Sequence, residues 1–321
     1  MNKIGSKIDE VRIDGSLDAF KRDMDYYEEI HLDAVEIPVH GLDAIKNGRL
    51  DKRRVHEIIN ILKDFDFEYS VHAANPLNLM DGNNFDMHLS VFRSSLEFCS
   101  EIGSKILVYH CGRFIPEETF HIKGDDKITE IEMKTMLERE RHYLIELSAE
   151  FPEISICLEN ARPYLHHSPY CYGEIPERIK EEIEKMNRKN ILMTLDIGHL
   201  NMASNFYGFD FIESVNKVRH IIGHVHAHDN FGGVVYHYEK QQTHQLPFGR
   251  GDSHMPVGWG SIPIRDIISI LLPEYKGLFI MELRSRYFEN IRESKDNLAL
   301  VLHDFEYTRN IGLRINADKS L

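Results

Sequence analysis

The chain has 321 residues, 42% of them hydrophobic and 28% charged, which supplies enough apolar material for a large core and argues against disorder. Lys and Arg number 38 against 52 Asp and Glu, and the resulting net charge of −14 argues against a protein built to grip nucleic acid or an anionic membrane. Four cysteines without a CxxC pair, and an N-terminal MNKIGSKIDEVRIDG without the apolar core of a leader, point to a cytoplasmic protein with reduced thiols. The longest apolar runs, such as 267–272 and 278–281, fall far short of the ~18 residues that span a bilayer.

Strand-like runs occur at 3–9, 33–38, 67–73, 105–111, 154–160, 191–196, 221–228 and 277–283. Between them the apolar spacing turns helical, as in Leu17/Phe20/Met24/Tyr27, Val55/Ile58/Ile59/Leu62 and Leu89/Phe92/Leu96. Later stripes are Ile175/Ile179/Ile183, Ile264/Ile267/Ile268/Leu271 and Leu298/Val301/Leu302/Phe305. Eight β-then-α units without a linker predict one α/β domain over 1–321, a single (β/α)8 TIM barrel. The competing doubly wound sheet lacks the G-x-G-x-x-G turn after its first strand. A long segment, 229–263, separates strand seven from the next helix, and loops of that length inside a compact domain are usually functional.

In such a barrel the chemistry sits at the C-terminal strand ends. Strand two ends with Glu36, strand three with His72, strand four with His110 and strand five, ICLEN, with Glu159. Strand six, MTLDIGH, carries Asp196 and His199; strand seven, GHVHAHD, carries His224, His226 and His228 on one face; strand eight, FIMELR, carries Glu282. The long loop adds Asp252 and His254 in GDSHMPVGWG. A single histidine in such a place is more often a hydrogen-bonded core residue than a ligand, and a single Glu159 more often partners an arginine. So many at one barrel end predict a divalent metal site. Nitrogen and oxygen donors without thiolate suit Mn, Co, Mg or Zn. Cys111 points away from that end by alternation, and Cys157 lies a layer below Glu159. Trp259 and Arg284 are candidate substrate contacts, as is Glu36. No P-loop and no G-x-S-x-G elbow occurs.

The ordered set LEN, LDIGH, HVHAHDN, DSHMPVGWG and MEL resembles the xylose-isomerase-like barrel superfamily, which includes sugar isomerases, epimerases and dehydratases and the AP endonuclease family 2 enzymes. The resemblance implies one ion held by Glu159, Asp196, His226 and Glu282, with Glu159 and Glu282 as the acid/base pair. It implies action on a sugar or keto-polyol by α-proton abstraction through an enediolate. The endonuclease branch implies instead a multinuclear zinc phosphodiesterase with up to three ions, drawing also on His72, His110, His199, Asp252 and His254. After strand five, however, ENARPYLHHSPYCYG stands where the endonucleases have a Gly-rich loop, and HAANPLNLMD looks more like the sugar branch. The expected partner is a small carbohydrate, and a homo-oligomer is left open.

Overall fold

The computed structural model describes residues 2–121, 128–237 and 244–318. Eight strands, β1 (Lys3–Lys7), β2 (Ala34–Pro38), β3 (Glu68–His72), β4 (Ile106–His110), β5 (Ser155–Glu159), β6 (Ile191–Asp196), β7 (Ile222–Ala227) and β8 (Leu278–Met281), form a closed parallel barrel. They follow one another around the barrel in chain order, with β1 pairing both β2 and β8. Each lies inside its predicted run; where the run was longer, its outer residues turn off the ladder. The strands are almost wholly buried because helices cover the outer face and side chains fill the inner one. Gly5 is required by the closure: a Cβ there would run into the Ala34 carbonyl oxygen of β2.

The helices pack where the stripes place them. Leu17–Glu29 is capped by the Ser16 side chain and Lys52–Leu62 by Asp51. Phe85–Ile102, Pro176–Met186, Ile264–Leu271 and Ile291–Asp318 complete the six read from periodicity. Besides the four-residue helix Glu10–Ile13, three more lie outside the stripes read from the sequence. Ile197–Tyr207 is buried around much of its girth, and Phe211–Val218 follows it before β7. Glu130–Glu150 buries only Glu140, Leu144, Leu147 and Ser148, so polar residues hold half of its inner face. Among the described residues no helix is long and apolar enough to cross a membrane. Part of the long loop, 238–243, lies outside the described residues.

Glu140 fastens its helix to the barrel. Its Oε1 accepts from the Tyr109 hydroxyl at 3.0 Å and from the Gly112 backbone N–H at 2.7 Å. Burial pushes its carboxyl from an ordinary 4.5 up to about 7. A carboxyl raised on folding lends stability that is complete below its unfolded pKa and lost as pH climbs to the folded one. Between about pH 4.5 and 7 the wild type is therefore expected to lose about 3 kcal/mol relative to Glu140→Gln. Denaturant unfolding of both proteins at pH 5 and pH 7.5 checks this; parallel pH profiles would contradict it.

Candidate metal centre

Strand register sets the donors at two levels. His110 is beside Glu159 at the level of Thr194, and Asp196 is beside His226 two residues further up, so the ends of β4 to β7 line the barrel mouth in two tiers. Glu282, just past β8, completes the ring. One ligand atom from each of Glu159, Asp196, His226 and Glu282 lies within 4.8 Å of the others. His226 Nδ1 is 3.2 Å from Glu159 Oε1, 3.2 Å from Glu282 Oε2 and 3.9 Å from Asp196 Oδ2. Asp196 has a second task, since its Oδ1 caps the following helix by accepting from the His199 N–H at 2.6 Å. Gly198 in that turn leaves room for the His228 ring, which a Cβ would strike.

Further donors surround this core. His72 Nε2 and His110 Nε2 reach Glu159 Oε2 at 3.3 and 3.1 Å. His199, His228, Asp252 and His254 form another group above Asp196, with the His228 and His254 rings stacked at 4.0 Å. Burial works against ionising Glu159, yet His110 and His226 hold its carboxyl well below the usual range. Lys7 and His226 do the same, against burial, for Glu282.

Three carboxylates this close and this buried repel one another unless a cation joins them. Glu159 Oε2 and His72 Nε2, both buried, face each other and His110 at 3.1–3.3 Å without a well-aligned hydrogen bond among the described residues. Those unmet donors, all nitrogen or oxygen, fit a divalent ion of the Zn, Mn, Co or Mg kind. The donor ring underlies a pocket of about 300 Å³ walled by Lys7, His110, Arg162, His254 and Arg284 among others; of its carboxylates, Glu282 lines this pocket and Glu159 borders a smaller one beside it.

Two expected substrate contacts lie elsewhere. Glu36 pairs in register with Ser70, two residues short of the end of β3, so it sits a layer below the floor and is fully buried. There it meets Ser70 Oγ at 2.9 Å, His224 Nε2 at 2.8 Å and His226 Nε2 at 3.0 Å. Trp259 is outside the pocket wall; its indole N–H donates to Glu293 Oε1 at 2.9 Å and its ring packs edge-on against Tyr287. It anchors the long loop. Arg284 does line the pocket, and its Nη2 also donates to the Asp252 carbonyl at 2.7 Å. Cys111 faces outward toward Gly173, as alternation predicts.

Two pocket groups, Lys7 and Arg162, escaped the sequence reading. Lys7, at the end of β1, places Nζ 2.8 Å from Glu282 Oε1. Its signal was present, since strand one has an end like the others. Arg162 stands in an irregular loop, where no periodicity marks it.

A closed parallel barrel with a His/Asp/Glu cluster at its C-terminal mouth places the protein among the TIM-barrel proteins. Residues 9–310 match the xylose isomerase-like TIM barrel family, and the chain belongs to it. Uncharacterized protein MJ1311 of Methanocaldococcus jannaschii is 27% identical over 275 residues, covering 84% of this chain and 80% of that one. A D-tagatose 3-epimerase-like protein superposes with a TM-score of 0.70 at 24% identity, covering 95% of this chain and 99% of that chain. The IolI protein, whose structure has a bound zinc atom, gives 0.68 at 19% identity and covers 94% and 99%. These two likenesses establish the fold.

Proposed function

We propose that the protein is a divalent-metal-dependent isomerase or epimerase, or a related dehydratase, acting on a sugar or keto-polyol. The observation that carries this reading is the pair of carboxylates that flank His226 in the donor ring. Glu159 and Glu282 come from strands three apart and each stops 3.2 Å from the same His226 nitrogen, so a substrate seated between them has a carboxylate at either side. The zinc-bearing IolI structure and the epimerase-like neighbour support the reading by analogy of fold.

A divalent ion held by Glu159, Asp196, His226 and Glu282 supplies Lewis-acid polarisation of the substrate carbonyl. Glu159, ionised at neutral pH, is placed to take the proton from the α-carbon, and Glu282, ionised in the resting site, to deliver to the other side a proton that it first takes up from solvent. Lys7 keeps Glu282 ionised between turnovers and fixes its rotamer. Arg284 lines the wall and offers its Nε–H to a substrate hydroxyl, while His199 and His254 shape the wall with ring nitrogens held by protein oxygens.

The test is incubation with ketoses and keto-polyols in D2O, with Mn, Co, Mg and Zn in turn, following deuterium at the α-carbon by NMR. Metal-dependent exchange with at least one of them is expected. No exchange, together with metal-dependent nicking of an abasic-site oligonucleotide, would replace this reading with a zinc phosphodiesterase.

A further inference from the structure

The outer group of His199, Asp252 and His254 has the residue types of a second metal site, but a side chain already stands in it. Arg162, three residues beyond Glu159 in the loop after β5, places Nη1 3.2 Å from His199 Nε2 and 3.4 Å from Asp252 Oδ2. The same Asp252 Oδ2 is also 2.7 Å from His254 Nε2 and 3.3 Å from His199 Nε2. Three nitrogens thus converge on one carboxylate oxygen. An ion bound to His199 and Asp252 at the usual ~2.0–2.2 Å would occupy the wedge that Nη1 fills. A guanidinium does not give up its proton to make way.

The guanidinium is also held from behind. Its Nη2 is 3.9 Å from Glu117 Oε2, its plane lies 5.2 Å from the Tyr164 ring centroid, and the Arg162 carbonyl accepts from the Tyr170 hydroxyl at 3.1 Å. Tyr164 in turn donates to Glu117 Oε2 at 2.9 Å, tying the loops after β4 and β5 together. The floor differs. Lys7 takes one oxygen of Glu282 and leaves Oε2 facing His226, so a lysine there does not fill the ring of donors.

We propose that Arg162 is the permanent cation of the outer His199–Asp252–His254 cluster, so that this cluster takes no metal ion and the barrel mouth holds metal only at its floor. The inference rests on the metal reading above and deepens it. With a guanidinium in place of an ion, the outer wall recognises a substrate oxygen through N–H donors; Arg162 Nε is buried without a protein partner among the described residues. That suits a polyhydroxylated carbohydrate better than a phosphodiester that needs several ions.

Zinc-loaded protein tests this by elemental analysis and by anomalous diffraction from crystals. Wild type is expected to show zinc at the floor and none within bonding distance of His199 and Asp252, and His254→Ala should leave its zinc content unchanged. Arg162→Met should gain one ion per chain and lose it again when Asp252→Asn is added. Zinc on His199 and Asp252 in the wild type, a loss of one ion in His254→Ala, or no gain in Arg162→Met would each overturn the proposal. A floor without zinc, with the gain in Arg162→Met intact, would instead sink the floor ligand set and leave the role of Arg162 standing.

Discussion

Glu159→Gln and Glu282→Gln are each expected to lower α-carbon deuterium exchange by roughly 10²–10⁴-fold, the usual worth of one positioned acid or base. The geometry makes the effect separable from metal loss. Glutamine keeps the shape and one carbonyl oxygen, and the other donors converging on His226 remain. Exchange is therefore compared at equal bound metal, set by titrating each variant and measuring its content. If Glu159 moves the proton, exchange stays depressed at full occupancy. If it only ligates, exchange returns as the metal is restored, and the acid/base assignment fails. Glu282 has a further signature. Its Oε1 pairs with Lys7 Nζ at 2.8 Å, so Lys7→Met should also slow exchange, but by less than the loss of the carboxylate itself.

The barrel was legible because its strands are buried on both faces. A continuous apolar run leaves little choice about where the strand lies, and only its ends are ambiguous, as with 277–283 against Leu278–Met281. The helix Glu130–Glu150 was not legible, since its inner face is built on Glu140 and Ser148, which look like surface residues until Tyr109 and the Gly112 N–H are brought to them. Alternation likewise gave the inward side of Glu36 but not its depth. Pairing with Ser70, which only the folded register reveals, puts it a layer below the donor ring, fully buried. Arg162 shows the limit most clearly. Its place depends on Glu117, Tyr164 and Asp252, residues scattered over three loops, and no local pattern encodes that meeting.

Glu36 then acquires a different expected effect. It touches the far nitrogen of His226 at 3.0 Å while Nδ1 faces Glu159 and Glu282, which is the arrangement in which a buried carboxylate orients a ligating imidazole. His224 and Ser70 hold Glu36 in turn, at 2.8 and 2.9 Å. Losing such a support typically weakens metal binding by about 10–100-fold. Glu36→Gln is expected to raise the dissociation constant for zinc by roughly that factor, read by competition with a chromophoric chelator. Saturating metal should restore exchange in Glu36→Gln, unlike Glu159→Gln, because Glu36 is fully buried beneath the donor ring. A merely structural role predicts another pattern: lowered thermal stability of the metal-free protein with unchanged zinc affinity. Unchanged affinity in a folded Glu36→Gln would remove Glu36 from the site and leave His226 oriented by its strand alone.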